Sequence, residues 1–183
     1  MKIITPIIAL VVAAITVQAR EMYYGTAAAE FAVKATVDSF TGHAASRPFS
    51  IGESDESVTV VYDIAAMETG KKKRDKEMMH MFHADEYPVI TGTASAADLL
   101  ALDPAQATNE LDIVFVIHGI TNTVTARASH IESGEGARAF DLDFPLTLSA
   151  FELKAPSVLG LIRVADVVQV TTHVALTANP PAE

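Results

Sequence analysis

The feature that most constrains this chain is an alternation of apolar and polar residues with a period of two, repeated along most of its length. Near the end, for example, apolar residues at every second position from Val168 to Leu176 oppose Gln169, Thr171 and His173. Successive side chains of a β-strand point to opposite faces, so this period predicts strands with one solvent-exposed face and one buried face. The chain is therefore predicted to be all-β.

The alternating segments add up to eight predicted strands. The clear segments lie at about 31–37, 58–64, 111–117, 140–144 and 168–176, and weaker ones at 43–51, 88–96 and 121–131. Strand-rich chains with short connections hide their edges in a barrel or a sandwich. We expect one antiparallel domain of this kind, since a domain takes about 100 to 200 residues.

One hairpin can be checked within the sequence. If His118-Gly119 is a two-residue turn, then Ile117 faces Ile120, and the face that holds Ile113 and Phe115 must continue on the next strand. That face does continue, through the apolar positions 124, 126 and 128. The register of this strand pair is therefore predicted.

Two segments break the alternation. The segment from Asp75 to Ala84 contains no helix breaker, and a short helix there would place Met78 and Phe82 on one face by their four-residue spacing. The segment 96–107 lacks strand-forming residues and is predicted to be a helical turn or a loop.

The first residues have the layout of a secretory signal peptide. Lys2 precedes the apolar run 3–17, and small residues at Val17 and Ala19 come before a predicted cleavage site at Arg20. The alternative is a membrane anchor, but the run is shorter than the roughly 20 apolar residues that a spanning helix needs. We expect a signal peptide at 1–19, a single domain at 20–183, and a periplasmic location.

Composition excludes several classes of function. The chain has 183 residues, a net charge of −10 and no cysteine. Nucleic acids bind mainly through neutralised phosphates, which an acidic protein repels. Disulfide scaffolds and cysteine nucleophiles are excluded as well.

Several short motifs, in order, resemble the YceI family of periplasmic lipocalin-like proteins. They are the pair Arg74-Asp75, then Phe82, Tyr87-Pro88, the turn His118-Gly119-Ile120-Thr121, and Asp166 before the last strand, with an early Phe-x-Gly turn at Phe40–Gly42. The chain departs from the family pattern at Ile113, Val116 and Asn122, where a glycine, a threonine and a lysine are usual. The resemblance covers nearly the whole of 20–183.

The resemblance implies an extended eight-stranded antiparallel lipocalin-like β-barrel with one short helix at about 75–84. It also implies a lumen that holds a long apolar chain, typically a polyisoprenoid or a polyprenyl quinone, with no other cofactor. Eight strands enclose an interior that is either filled by side chains or able to hold one slender ligand. The function predicted is that of an exported carrier or storage protein rather than an enzyme.

Every second position along a predicted strand points inward, and this rule selects the residues expected to face the lumen. Ordinary core packing is the alternative for each of them. They are Phe31, Val33, Val60, Tyr62, Ile64, Phe115, Ile117, Phe140 and Phe144. On the helix, Met78, Met79 and Phe82 are predicted to form a pliable lid, because methionine adapts to irregular surfaces. The alternative is a helix that is simply fixed to the barrel.

The basic run 71–74 can be interpreted in three ways. Lys71 and Arg74 are candidates for contact with a ligand head group at the rim, and the run as a whole could meet an anionic membrane surface. A solvated turn is the third interpretation. The family pattern further implies that Arg74 and Asp75 have structural ion-pair roles at the rim, with partners that the sequence leaves open.

Other chemistry has weaker support. His80 and His83 are three residues apart, so a metal site can be drawn, but no third ligand has a recognisable spacing. His118 is interpreted as a turn residue. No nucleophile elbow or phosphate-binding glycine loop is present. A structural or interaction module with a filled barrel and a metal-handling protein remain the alternatives, and the sequence is compatible with a homodimer.

Overall fold

The computed structural model describes residues 22–154, 157–158 and 162–179. The predicted signal peptide at 1–19 lies outside the described residues. The strands are β1 (Met22–Val33), β2 (Phe40–Ala45), β3 (Phe49–Gly52), β4 (Ser57–Asp63), β5 (Val89–Ser95), β6 (Glu110–Ile117), β7 (Ile120–Gly134), β8 (Ala137–Thr147), β9 (Ser157–Val158), β10 (Ile162–Arg163) and β11 (Val167–Thr177). The α-helices are α1 (Lys72–Met81) and α2 (Ala96–Leu100), and short 3₁₀ turns lie at Ile64–Ala66 and Leu148–Phe151.

Eight strands form one curled antiparallel sheet in the order β2-β1-β11-β8-β7-β6-β5-β4, and β3 pairs with the other end of β1. This order is a meander from β4 to β8 that β11, β1 and β2 then continue. The predicted all-β, lipocalin-like architecture is confirmed. Inside the curl, one inward face from each strand of this sheet contributes to a single apolar core.

The two ends of the sheet meet at a short seam between β2 and β4. Ser46 forms an isolated bridge with Tyr62, and the amide of Arg47 donates to the carbonyl of Val61 at 2.8 Å. The guanidinium of Arg47 also donates twice to the Asp63 carboxylate, at 2.6 and 3.0 Å. The barrel is thus joined here by a few bonds rather than by a ladder.

The predicted hairpin register is confirmed. Ile117 pairs with Ile120, and residues 113 and 115 pair with 124 and 122. His118 and Gly119 both have positive φ angles, 52° and 75°, as a two-residue turn of this kind requires.

Three predicted boundaries were wrong, each for a local reason. The first strand begins at Met22 rather than near residue 31, because small residues such as Ala27 and Ala29 on its inner face give little contrast in hydropathy. The segment 43–51 divides into β2 and β3, since Pro48 has no amide hydrogen for a ladder. The predicted turn at Phe40–Gly42 is instead the start of β2.

The helices differ from prediction in extent. Helix α1 spans 72–81 rather than 75–84, and the chain leaves it through His83, whose φ is 49°. Helix α2 occupies the start of the predicted turn or loop, with the Ser95 hydroxyl accepting from the amide of Asp98 at 3.2 Å. No helix in the described residues is long and apolar enough to cross a membrane.

Candidate ligand-binding site

The inside of the barrel contains a cavity of about 690 Å³. Its wall consists mainly of aliphatic and aromatic side chains from the inward positions of the strands. Among them are Ala27, Phe31, Val33, Val58, Val60, Ile90, Leu111, Ile113, Phe115, Leu142, Phe144, Val168, Val170 and Val174. A hollow interior of this size lies within the range of cavities that bind small molecules.

Most of the sequence-predicted lumen residues line this cavity. They are Phe31, Val33, Val60, Tyr62, Phe115, Ile117 and Phe144 from the strands, and Met78 and Phe82 from the helical segment. The ring centroids of Phe115 and Phe144 are 5.3 Å apart, so these two side chains form one continuous aromatic patch on the wall.

Two predicted lumen residues do not line the cavity. Ile64 is fully buried, but it begins a 3₁₀ turn, and the parity of β4 ends one residue earlier at Asp63. Phe140 is 2 % exposed and faces inward, yet it lies on β8 two inward positions before Phe144, and the cavity does not extend to it. Phe140 belongs to the solid part of the core.

Sequence reasoning missed two kinds of lining residue. Strand positions such as Leu142 and Val174 share the inward parity of the selected residues, so a fuller use of the same signal would have found them. Met67 and Leu99 come from outside the strands, and no periodic pattern marks them.

A pair of hydroxyl groups interrupts the apolar wall. Tyr62 and Thr172 are buried and hydrogen-bonded to each other. Burial raises the pKa of the Tyr62 phenol to about 12, although the bond from Thr172 acts in the opposite direction. The phenol is therefore a neutral hydrogen-bonding group at ordinary pH.

A close approach to glycine positions one of the wall phenylalanines. The ring of Phe31 on β1 lies over its cross-strand partner Gly42 on β2. A Cβ atom at residue 42 would be 2.2 Å from the Cζ atom of Phe31, so only glycine leaves this space for the ring.

Among the described residues, the charged side chains that line the cavity come from two neighbouring segments, which identifies the mouth. Asp38 belongs to the β1–β2 connection, whereas Lys71, Lys73, Arg74 and Glu77 belong to α1 and its first flanking residue. Charged groups remain hydrated only where water reaches them. The mouth therefore lies between the β1–β2 connection and α1.

The two predicted rim cations share one carboxylate at this mouth. Lys71 and Arg74 contact Asp38 at 2.9 and 3.1 Å, and the same guanidinium lies 3.8 Å from the centroid of the Phe40 ring. The hydrogen bond from Lys71 is the main cause that lowers the pKa of Asp38. These contacts connect the helix to the β1–β2 connection.

Helix α1 covers the mouth with flexible apolar side chains. Met78, Met81 and Phe82 line the cavity, as their spacing on one helical face allows, whereas Met79 packs against the core without lining it. Within α1 itself no residue is fully buried. The position of α1 is that of the predicted lid.

The motif residues form local links near the mouth. Asp75 does not pair with Arg74: its carboxylate accepts from the amide and the hydroxyl of Thr69, at 2.8 and 2.5 Å. Asp166 similarly accepts from the amide and hydroxyl of Ser149, at 2.8 and 2.5 Å. These links fix the connections around the barrel end.

The histidines near the mouth form a ring contact rather than a metal centre. The His118 ring lies edge-on to His83 and Tyr87, with centroids 4.8 and 4.9 Å away. Within the described residues, no group of three or more histidine, cysteine or acidic side chains could hold a metal ion. The pair His80 and His83 gains no third ligand there.

Comparison with known proteins identifies the family. The sequence pattern of the YceI-like domain matches residues 12–176. The chain belongs to the YceI-like family. No curated protein sequence matches it.

Three solved structures share the fold of this YceI-like chain. A polyisoprenoid binding domain from Saccharophagus degradans is 15 % identical, with a TM-score of 0.65 over 85 % of this chain and 98 % of that one. BcnA from Burkholderia cenocepacia is 19 % identical, with a TM-score of 0.62 over 81 % and 95 %. The YCEI protein of Campylobacter jejuni is 16 % identical, with a TM-score of 0.53 over 98 % and 100 %.

Proposed function

We propose that this YceI-like protein is an exported carrier or storage protein that holds one long apolar molecule in its barrel. The observation that carries the proposal is the continuous apolar cavity of about 690 Å³. Burial of apolar surface contributes about 25 cal/mol per Å², so a long hydrocarbon chain binds well there without specific polar contacts.

A polyisoprenoid or a polyprenyl quinone is the ligand class that we favour. The match to the YceI-like family supports it, as does the likeness in fold to a protein described as a polyisoprenoid binding domain. The apolar wall suits a hydrocarbon chain, and the basic residues Lys71 and Arg74 suit a head group at the mouth. The proposal of export rests on the N-terminal segment, whose layout is that of a signal peptide.

Binding rather than catalysis is favoured by the distribution of titratable groups. Among the described lining residues, the carboxylates and amines lie at the mouth, and Tyr62 inside is neutral at ordinary pH because its pKa is raised to about 12. The filled-barrel alternative is disfavoured by the cavity itself.

Mass spectrometry of organic extracts tests the proposal. Protein purified from its native compartment should release the same lipid or quinone in repeated preparations. Ala44→Leu, which adds volume at a buried position of the cavity wall, should reduce the amount released. The matched control Ala45→Leu changes the exposed outer face of the same strand and should release as much as the unaltered protein.

Repeated absence of any apolar molecule from folded, unaltered protein would contradict the carrier function. Equal release by the two leucine variants would instead place the bound molecule outside the barrel.

A further inference from the structure

The mouth of the barrel combines an exposed apolar side chain with a cluster of basic ones. Val37, in the β1–β2 connection, lines the mouth and is 71 % exposed. Opposite it, the start of α1 presents Lys72, Lys73 and Lys76 to solvent. Val37 is adjacent to Asp38, which contacts Lys71, so the apolar and basic groups border the same opening.

The charge of this region is opposite to that of the protein as a whole. The segment 71–77 contains five basic and two acidic residues, whereas the full chain has a net charge of −10. One of the two acids, Asp75, accepts hydrogen bonds from Thr69. A local basic surface on an acidic protein orients the molecule in the field of an anionic partner.

Within the described residues, three of these cations have no carboxylate partner. In the part of the chain that the structure describes, ion pairs involve Lys71 and Arg74 but not Lys72, Lys73 or Lys76. Lys72 and Lys76 are four residues apart and therefore lie on one exposed face of the helix. Clustered lysines are attracted to anionic lipid surfaces, and an apolar side chain beside them gains free energy by entering the interface.

We propose that the mouth of the barrel docks on the surface of an anionic phospholipid bilayer. Lys72, Lys73 and Lys76 contact lipid phosphates, and Val37 enters the interface between head groups and acyl chains. The biological use of this docking rests on the proposed carrier function: an apolar ligand then passes between bilayer and cavity without crossing water.

Vesicle sedimentation tests the docking surface. Ligand-stripped protein should bind vesicles of phosphatidylcholine mixed with phosphatidylglycerol, should not bind pure phosphatidylcholine vesicles, and should be released by high salt. Lys72→Gln/Lys76→Gln should weaken binding by about tenfold or more, because each lysine near an anionic surface contributes about 1 kcal/mol, a factor of roughly five. Val37→Ser should weaken it while leaving the salt dependence in place.

The matched control removes a positive charge elsewhere. Arg127→Gln changes the exposed outer face of β7, and its binding should stay close to that of the unaltered protein, whereas Lys72→Gln alone should weaken binding several-fold. Two binding results would overturn the docking proposal: equal binding to neutral and anionic vesicles, or equal losses of binding for these two single variants. It would also be overturned if the protein bound no vesicles and a second copy of the chain covered the mouth.

A separate titration of the double variant with a fluorescent polyene lipid in solution distinguishes docking from carriage. Retained uptake together with lost sedimentation supports docking as a distinct property. If the unaltered protein takes up no lipid but still sediments with anionic vesicles, the carrier function is overturned and the docking surface is retained.

Discussion

Two phenylalanines on the inner wall differ in what their removal would leave behind. Phe140 is 2 % exposed within the solid core, and Phe140→Ala should cost about 3–5 kcal/mol of stability. Phe115 borders the cavity, so Phe115→Ala only enlarges an existing space and should cost less, about 1–2 kcal/mol. Urea unfolding of the ligand-stripped variants measures both values, and equal losses would indicate that the lumen is packed.

Tyr62 gives a prediction about alkaline stability. Its pKa is raised to about 12 in the folded protein, against about 10 for an exposed phenol. The folded state therefore binds this proton more tightly, and the stability that results is present below pH 10 and lost as the pH rises towards 12. Urea midpoints should fall more steeply above pH 10 for the unaltered protein than for Tyr62→Phe. Parallel curves would show that the phenol is not protected by burial.

At the residue scale, the sequence could predict which face of its strand a residue occupies, but not whether that residue borders the cavity or the packed core. Alternation correctly assigned Phe115, Ile117 and Phe144 to the inner face, because the direction of each side chain follows from its position in a strand. Whether an inward residue meets cavity or core depends on how far the hollow extends along the barrel. That extent is set by residues from other strands, which is why alternation predicted Phe140 at the lumen although the cavity does not extend to it.

At the level of elements, α1 is connected to the barrel through the cation pair on Asp38. Asp38→Asn should loosen the helix, and amide hydrogen exchange over 72–81 should become faster while exchange in β7 and β8 stays unchanged. Asp63→Asn is the matched control, since it removes an exposed carboxylate that contacts Arg47 at the seam instead. Equal protection of α1 in both variants would contradict the role of Asp38.

The contact between Lys71 and Asp38 also predicts the direction in which acid changes the protection of helix α1. The pKa of Asp38 is lowered by Lys71, so its contribution is present above the pKa of the unfolded state and is lost as the pH falls through the lower folded-state value. The protection factor over 72–81, which is the intrinsic exchange rate at each pH divided by the observed rate, should therefore fall at acid pH in the unaltered protein. In Asp38→Asn this fall should be smaller.

Element boundaries could be predicted where side chains differ strongly in polarity. The β6–β7 hairpin has both a turn signal and clear alternation, and its register was predicted correctly. The early part of β1 consists largely of small residues, so its sequence carries no comparable signal. The partner of Arg74 lies 36 positions away, in a different connection, which no local pattern reveals.

At the scale of the whole molecule, we expect the melting temperature to depend on whether a ligand occupies the cavity. A ligand that binds only the folded state raises the melting temperature by mass action. Removal of the native ligand should lower it by roughly 5–10 °C, and addition of the extracted lipid should restore it. The Ala44→Leu variant should respond less than Ala45→Leu, because part of its cavity is already filled. An unchanged melting temperature after complete delipidation would contradict lumen binding.

The fold as a whole was predictable because alternation and ordered family motifs agree over most of the chain. Alternation alone does not decide whether the interior is open, since eight strands are compatible with both a filled and a hollow barrel, and the prediction of an open lumen came from the family resemblance. The difference arises from many small inward residues, such as Ala27, Ala29 and Ala94, whose combined effect is the cavity.

The short seam between β2 and β4 has a mechanical consequence. Consecutive strands in the sheet order are held by runs of ladder bonds, whereas this join depends on a bridge at Ser46, one amide bond from Arg47, the ion pair of Arg47 with Asp63, and two backbone bonds between His43 and Glu68 beyond the end of β4. A barrel with so few hydrogen bonds along one seam can widen at that seam while the ladders between its other strands stay intact. For the proposed apolar ligand, we therefore expect the diameter of the barrel, and with it the thickness of the molecule that fits, to vary mainly at this seam.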